Sequence, residues 1–240
     1  ELSATVLSNT HRSQRIRLHL AQGDADVRLR MIGRHNVENA LAAAGLAEQL
    51  GIQLRDIAAG LEAVRAIPGR LERIDEGQPF QVLVDYAHTH DALSRSIATI
   101  RDFAPGRVIC VFGAGGDRDR SKRLMMGQAT TESQLCVVTS DNPRSEDPLD
   151  IIQDVMGGMA TRTQSVAEPD RGAAIRQAFE LAEPGDVVLV AGKGHETTQE
   201  IRGQQHPFDD RFVARQLLNE MYAPLTSSTL QPDFSLPHSA

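Results

Sequence analysis

Apolar residues alternate with polar ones near the start of the chain and recur at helical spacing after it. They occupy every second position of 16–20 and again of 27–31, with Gly23-Asp24 between the two runs. This pattern predicts an antiparallel hairpin with one buried face. Segments rich in Ala and Leu at 36–50 and at about 54–66 then predict two helices.

After Pro68-Gly69 the pattern changes, and short apolar runs alternate with helical segments. The predicted strands are 81–84, 107–112, 135–139 and 186–191, and the predicted helices are 90–103, 121–133, 148–160 and 171–182. This order is typical of an α/β fold, a doubly wound, mostly parallel sheet with helices on both faces. A late hairpin turning at Gly203 and a helix at 209–221 complete the prediction.

The change of pattern divides the chain into a first unit at 1–67 and a second at 68–221. Residues 222–240 are rich in Ser, Pro and Thr, and we expect a disordered tail there. The chain begins with Glu1 rather than Met, which leads us to expect a piece of a longer protein or a processed product.

Composition narrows the class of protein. With 25 Lys and Arg against 32 Asp and Glu, the net charge of −7 argues against a nucleic-acid scaffold. No apolar stretch approaches the roughly 18 residues that a membrane span needs, so we expect neither nucleic-acid nor membrane partners. Cys110 and Cys136 lie in apolar runs, which predicts buried free thiols and a reducing compartment.

Polar, charged or Gly-rich loops follow four of the predicted strands. They are Asp85–Asp91, Gly113–Arg120, Ser140–Arg144 and Gly192–Glu196. Because ligands of doubly wound sheets bind at the carboxyl ends of the strands, these loops predict a binding site. The Gly-rich loop lacks the last Gly of a dinucleotide fingerprint, which excludes a nicotinamide-dependent dehydrogenase, and the sequence contains no P-loop pattern.

Several side chains of these loops have a binding interpretation and a structural alternative. Arg144, after the stiffening Pro143, suits a carboxylate, but it is equally a surface residue after a helix cap. Glu196 could hold an ammonium group. Asn36 and Asn39 match the edge of a base such as adenine, or cap a helix. His88, His90 and Asp91 lack further ligands nearby, so we predict no metal site.

Six segments, taken together and in this order, resemble the Mur ligases. They are Gly-Arg-His-Asn-Val-Glu-Asn-Ala at 33–40, Ile-Pro-Gly-Arg-Leu-Glu at 67–72, Val-Asp-Tyr-Ala-His-Thr at 84–89, Phe-Gly-Ala-Gly-Gly-Asp-Arg-Asp at 112–119, Ser-Asp-Asn-Pro-Arg at 140–144 and Ala-Gly-Lys-Gly-His-Glu at 191–196. The resemblance covers about residues 1–220. It implies the end of the central ATPase domain followed by the C-terminal domain.

The resemblance also implies ligands and residue roles. Adenine would lie near Asn39, with His35 and Asn36 beside it, while Arg70, Asp85, Tyr86 and His88 would contact the rest of ATP. The amino-acid substrate would meet Arg118, Asp141, Asn142, Pro143, Arg144, Gly192 and Glu196. No catalytic residue and no magnesium ligand is expected within this chain, although ATP and Mg²⁺ would serve the whole ligase.

Within the family, the motifs are most similar to those of ligases that add meso-diaminopimelate to UDP-MurNAc-L-Ala-D-Glu. Meso-diaminopimelate differs from lysine by a second carboxylate, and Arg144 is suited to that group. We expect a monomer of the bacterial cytoplasm that is inactive as a ligase by itself. The alternatives are a lysine-adding or other ligase of the superfamily, and a detached, non-catalytic module that binds an amino acid.

Overall fold

The computed structural model describes residues 2–10 and 12–222. The first unit contains an antiparallel sheet in the order β1-β2-β3 and two helices. Its elements are β1 (Ser3–Asn9), β2 (Gln14–Leu20), β3 (Gly23–Leu29), α1 (Arg34–Gln49) and α2 (Leu54–Ala63). The predicted hairpin is therefore confirmed as β2 and β3, while β1 is an additional strand whose side chains are mostly exposed.

Residues 64–71 connect α2 to the second unit, which is built on a six-stranded sheet in the order β4-β5-β9-β6-β7-β8. The strands are β4 (Glu72–Ile74), β5 (Gln81–Asp85), β6 (Val108–Phe112), β7 (Leu135–Val138), β8 (Gln164–Ala167) and β9 (Val187–Ala191). The helices are α3 (His90–Arg101), α4 (Ser121–Gln128), α5 (Pro148–Met156), α6 (Arg171–Leu181) and α7 (Asp210–Tyr222). Strands β10 (Thr198–Ile201) and β11 (Gln204–Pro207) form the predicted hairpin at Gly203.

Helices cover both faces of the large sheet, as predicted. Leu93 and Ile97 of α3 belong to the apolar core on one face, together with residues of α4 and α5. Ile175 of α6 and Leu218 of α7 belong to the core on the other face. All pairs among β5 to β9 are parallel and only β4 is antiparallel, so the doubly wound, mostly parallel sheet is confirmed.

Both thiols are free and buried, as predicted, and they lie on adjacent strands. Burial raises the pKa of Cys136 to about 12 and also raises the pKa of Cys110. Because the thiolate is the reactive form, neither residue is a nucleophile at neutral pH.

Several elements end earlier than predicted. Helix α4 ends at Gln128, five residues before the predicted 133, where the hydroxyl groups of Thr130 and Thr131 donate to the carbonyl oxygens of Gly127 and Gln128. Such local bonds turn the backbone away from the helix. Tyr222, predicted to begin the tail, is the last residue of α7, and the rest of the predicted tail lies outside the described residues.

The topology places one edge of the sheet in position for a site. Strand β9 lies between β5 and β6, and its register aligns Ala191 with Asp85. The preceding helix α6 lies on the opposite face from α3, α4 and α5. From β6 to β8 each new strand is added on one side of the sheet, and β9 then returns to the other side, next to β5. The carboxyl ends of β5, β9 and β6 thus flank the kind of crevice in which α/β proteins bind ligands.

Candidate functional site

The four predicted loops meet at the carboxyl ends of the strands and enclose a cleft of about 750 Å³. The lining includes two residues predicted to contact ATP, Tyr86 and His88. It also includes most of the residues predicted to contact the amino acid: Arg118, Asp141, Asn142, Arg144, Gly192 and Glu196. Pro143 is not in the lining, and its carbonyl group packs against Gly116. The cleft carries side chains of both charge signs, which suits a zwitterionic ligand.

Asn142 is the hub of the loop that follows β7. Its side-chain oxygen accepts hydrogen bonds from Lys193 Nζ at 3.2 Å and from the backbone N–H of Glu200 at 2.9 Å. The backbone oxygen of Asn142 accepts a bond from Gly116. The helix-cap alternative is wrong for this loop, because α5 begins only at Pro148 and its cap is Asp147.

The guanidinium group of Arg144 already has partners within the chain. Its Nη1 donates to the carbonyl oxygen of Gly116 at 2.7 Å, and its Nε lies 3.2 Å from a carboxylate oxygen of Glu200. The side chain is 20% exposed and lines the cleft, so it is not an ordinary surface arginine. Glu200 is a neighbour that the motif did not predict.

Lys193 is a second residue that sequence reasoning missed. The side chain is fully buried, and its Nζ lies 3.1 Å from Glu196 Oε2 as well as 3.2 Å from Asn142. A buried ammonium group is stable only when it is paired and hydrogen-bonded in this way. The carboxylate that we expected to hold a substrate ammonium therefore already shares one oxygen with Lys193. The sequence feature that could have identified Lys193 is its position between two glycines, directly after a strand that is predicted to be buried.

Arg171, also not predicted, ties the strand ends together from behind the cleft. It donates to both carboxylate oxygens of Asp210 at 2.7 Å, to the carbonyl oxygen of Ser140 at 3.2 Å and to that of Ala191 at 2.9 Å. Ser140 precedes Asp141, and Ala191 precedes Gly192, so this one side chain fixes the relative position of two lining loops.

Three of the ATP-related residues of the resemblance form a stack. Tyr86 and His88 of this stack line the cleft, the Arg70 guanidinium lies 4.6 Å from the centre of the Tyr86 ring, and His88 packs on the same ring at 4.5 Å. His195 also packs against Tyr86, at 5.2 Å. Such a stack offers a flat, cationic and aromatic surface.

Two glycines bring the Arg70 loop and the Lys193 loop together. A Cβ at Gly69 would lie 2.2 Å from the backbone of Gly194, and a Cβ at Gly194 would lie 2.6 Å from the Cβ of Tyr86. Both residues also have positive φ, 65° and 54°. Close backbone contact and a left-handed conformation together require glycine at these positions.

Asp85 is buried, and its carboxylate is used within the chain. It accepts hydrogen bonds from the backbone N–H groups of Leu71 and Ala87 and from the hydroxyl of Ser96, at 2.7, 2.9 and 3.1 Å. These bonds join the segment after Arg70, the end of β5 and helix α3. A contact between Asp85 and ribose remains a prediction from the resemblance.

The remaining residues of the adenine prediction lie in the first unit and do not line the cleft. His35 and Asn39 are exposed, whereas Asn36 is buried and donates to the carbonyl oxygen of Ile32 at 2.8 Å. The helix-capping alternative is wrong for both asparagines, because α1 begins at Arg34 after its cap, Gly33.

The described residues contain neither a metal-binding cluster nor a membrane-spanning helix. Within residues 2–10 and 12–222, no group of three or more His, Cys, Asp or Glu side chains could hold a metal ion. In the same ranges, no helix is both long enough and apolar enough to cross a membrane.

Comparison with known proteins places this geometry in a family. Residues 69–194 match the family described as "Mur ligase, glutamate ligase domain". The chain is 53% identical over 190 residues to the UDP-N-acetylmuramoyl-L-alanyl-D-glutamate–2,6-diaminopimelate ligase of Solibacter usitatus, which covers 78% of the chain and 38% of that enzyme. It is 45% identical to the enzyme of the same name from Geobacillus kaustophilus, with 92% and 45% covered.

A solved structure of a UDP-N-acetylmuramoyl-L-alanyl-D-glutamate–2,6-diaminopimelate ligase superposes with a TM-score of 0.67 at 36% identity. The superposition covers 92% of this chain and 45% of that one. The chain thus spans less than half the length of the relatives that it matches. These likenesses, together with the cleft at the strand ends, show that the chain belongs to the Mur ligase family.

Proposed function

We infer that this chain is the amino-acid-binding part of an ATP-dependent ligase that joins meso-diaminopimelate to UDP-MurNAc-L-Ala-D-Glu. The observation that carries the inference is the cleft, in which Arg144 and Arg118 face the same space as Glu196 and Asp141. A diamino dicarboxylic acid has groups that complement both sets. The relatives' names state the same substrates.

The reaction of such a ligase has two steps. The γ-phosphoryl group of ATP passes to the D-Glu γ-carboxylate and gives an acyl phosphate and ADP. The amine of meso-diaminopimelate then attacks the acyl carbon, an amide bond forms, phosphate leaves and the nitrogen loses a proton. Positioning of the amine is what this chain contributes, because held reactants gain most of the advantage of an intramolecular reaction.

Ligand exchange within the cleft explains how the amino acid is held. The distal carboxylate of meso-diaminopimelate binds the Arg144 fork, in competition with Glu200. An ammonium group binds near Glu196, beside the Lys193 contact. Lysine has no second carboxylate and gains nothing from Arg144.

ATP and magnesium belong to the same proposal in different ways. Arg70, Tyr86 and His88 offer a stacking and cationic surface, and Asn39 is exposed, so these residues fit a nucleotide. The described residues provide no cluster of acidic ligands that fits magnesium, and we derive no step through the metal from them. A monomeric state and a cytoplasmic location are also part of the proposal.

Calorimetric titration of the 240-residue chain with meso-diaminopimelate and, in parallel, L-lysine tests the proposal. We expect Arg144→Ala to weaken meso-diaminopimelate binding by about tenfold or more, since a charge-assisted bond contributes roughly 1.5–3 kcal/mol. Arg202→Ala is the matched control, because Arg202 has nearly the same φ (50° against 52°), donates its backbone N–H to the carbonyl oxygen of Arg144 and has an exposed side chain.

Equal affinities for the two amino acids would contradict the assignment to meso-diaminopimelate and favour the lysine-adding alternative. Equal losses of meso-diaminopimelate affinity in Arg144→Ala and Arg202→Ala would show that Arg144 does not bind the ligand. Absence of binding by either amino acid would refute the statement that this chain by itself carries the amino-acid site.

A further inference from the structure

A second cleft, of about 330 Å³, lies at the junction of the two units and is lined by an unusual number of arginines. The charged residues of its lining are Arg12, Arg30, Arg65, Arg70, Arg73 and Asp75. Arg12 and Arg30 come from the first unit, Arg65 and Arg70 from the connecting segment, and Arg73 from β4. Apart from Arg70, none of these residues belongs to the sites described above.

Among the described residues, four of the five arginines of this cleft lack a carboxylate partner. Within residues 2–10 and 12–222, no carboxylate oxygen lies within 4.0 Å of the guanidinium groups of Arg12, Arg30, Arg65 or Arg70. Arg73 alone is paired, with Asp75 at 2.8 Å, and its Nε is nevertheless buried without a hydrogen-bond partner among the described residues. Most other arginines of the chain are paired, including Arg107, Arg123 and Arg171.

The surroundings strengthen the positive potential of the cleft. Ile32, Leu71 and Leu83 are nearly fully buried and contribute to its wall. A cleft lined by charges of one sign over low-dielectric walls focuses the field and concentrates counter-ions. In a chain whose net charge is −7, a cleft lined by five arginines and one carboxylate is a local exception.

We propose that this junction cleft is a binding site for a phosphate-rich anion, a group of the pyrophosphate type. The planar guanidinium group of arginine binds phosphate oxygens in a bidentate geometry. Several guanidinium groups together carry more positive charge than a single carboxylate can balance, so a multiply charged anion suits them. The volume of the cleft is that of a small-ligand pocket. The proposal is independent of the amino-acid site, and the anion would join Arg30 of one unit to Arg73 of the other.

Calorimetric titration of the 240-residue chain with inorganic pyrophosphate at low ionic strength tests the proposal. The double variant Arg30→Gln, Arg65→Gln removes two forks from the cleft. The control Arg55→Gln, Arg95→Gln removes two exposed arginines, one from each unit, that do not line it. Titration with AMP and the variant Asn39→Ala report separately on the adenine prediction.

We expect binding of one pyrophosphate per chain that weakens at least tenfold in Arg30→Gln, Arg65→Gln and stays within twofold of the parent in Arg55→Gln, Arg95→Gln. We also expect Asn39→Ala to leave pyrophosphate binding unchanged. Higher salt should weaken binding, because the interaction is between exposed charges. All four substituted arginines are exposed, and unchanged thermal midpoints without ligand will show that the variants fold.

Three results would overturn the proposal. Absence of pyrophosphate binding by the parent chain excludes the site. Equal weakening in the two double variants shows a general effect of net charge. Binding that survives Arg30→Gln, Arg65→Gln but is lost in Asn39→Ala assigns the phosphate to the nucleotide site instead. These outcomes do not depend on the amino-acid titration: if meso-diaminopimelate did not bind, each pyrophosphate result would keep the same meaning.

Discussion

Replacing Arg171 by methionine tests how the strand ends that carry the cleft are held together. Arg171 and Asp210 are both fully buried, and the guanidinium group makes two bonds of 2.7 Å to the carboxylate. It also satisfies the carbonyl oxygens of Ser140 and Ala191. In Arg171→Met the carboxylate remains buried without its partner and two carbonyl groups lose a donor.

The expected loss of stability follows from these hydrogen bonds of Arg171. Removing one member of a buried ion pair costs about 3–5 kcal/mol of unfolding free energy, because an uncompensated charge is left inside. The two carbonyl groups place Arg171→Met toward the upper end of that range. Removing both charges with Arg171→Met and Asp210→Leu should cost less than either single change, since no buried charge remains.

Urea unfolding followed by circular dichroism at neutral pH measures these differences, and the two singles with the double form a complete cycle. Arg176→Met is the control, because Arg176 is on the same helix and pairs with Glu220 at 2.6 Å, but in an exposed position where we expect little change. A loss below about 1 kcal/mol for Arg171→Met, or a double variant whose loss equals the sum of the singles, would refute the reasoning.

Four further changes have defined outcomes. His90 is the first residue of α3 and follows an extended residue, so His90→Pro should raise the unfolding free energy by about 0.4–1 kcal/mol, and a lower value in urea unfolding would contradict this. Burial opposes ionisation of Asp186, but hydrogen bonds from its arginine partner and two backbone N–H groups lower the pKa overall. Asp186→Asn should therefore cost about 1–3 kcal/mol at pH 7. In unfolding curves the difference should begin to shrink as the pH falls to about 4, where the unfolded carboxyl takes up its proton, and should vanish only at lower pH, below the lowered pKa of the folded state. Gly194→Ala, which adds a clash to its backbone strain, should lower the thermal midpoint more than Gly203→Ala, where φ is also positive but nothing lies within 4 Å. Glu200→Gln removes the carboxylate that competes for the arginine fork and should tighten meso-diaminopimelate binding by about threefold to tenfold in calorimetry, while an unchanged affinity would show that no exchange occurs.

Which strands could be predicted depended on whether they are buried on both faces. Strands β5, β6, β7 and β9 are almost entirely buried, so their sequences are nearly continuous apolar runs. Strands β1 and β8 expose most of their residues and lie at the edges of their sheets. An edge strand owes its structure to pairing with a neighbour, and that pairing leaves little trace in its own hydrophobic pattern.

The candidate site was also predictable only in part. The loops of the cleft could be predicted, because the carboxyl ends of parallel strands come together by topology. The pairings inside it could not, because the partners are far apart in the sequence. Glu200 meets Arg144 because β10 lies against the loop that follows β7. Lys193 meets Asn142 because the loops after β9 and β7 lie at the same edge of the sheet. Asp85 shows the same limit, since a carboxylate after a strand fits a ligand contact as well as the internal bonds that it makes.

These internal pairings change how the cleft would discriminate between amino acids. When lysine occupies the proposed site, Arg144 keeps its bond to Glu200, so no buried charge is left without a partner. Strong rejection of an incomplete ligand requires that a polar group be left unpaired, and that condition is not met here. A second carboxylate can gain only the difference between its own bonds to Arg144 and the Glu200 contact that it displaces. We therefore expect the preference for meso-diaminopimelate to be smaller in the parent chain than in Glu200→Gln, where lysine leaves the fork without a charged partner.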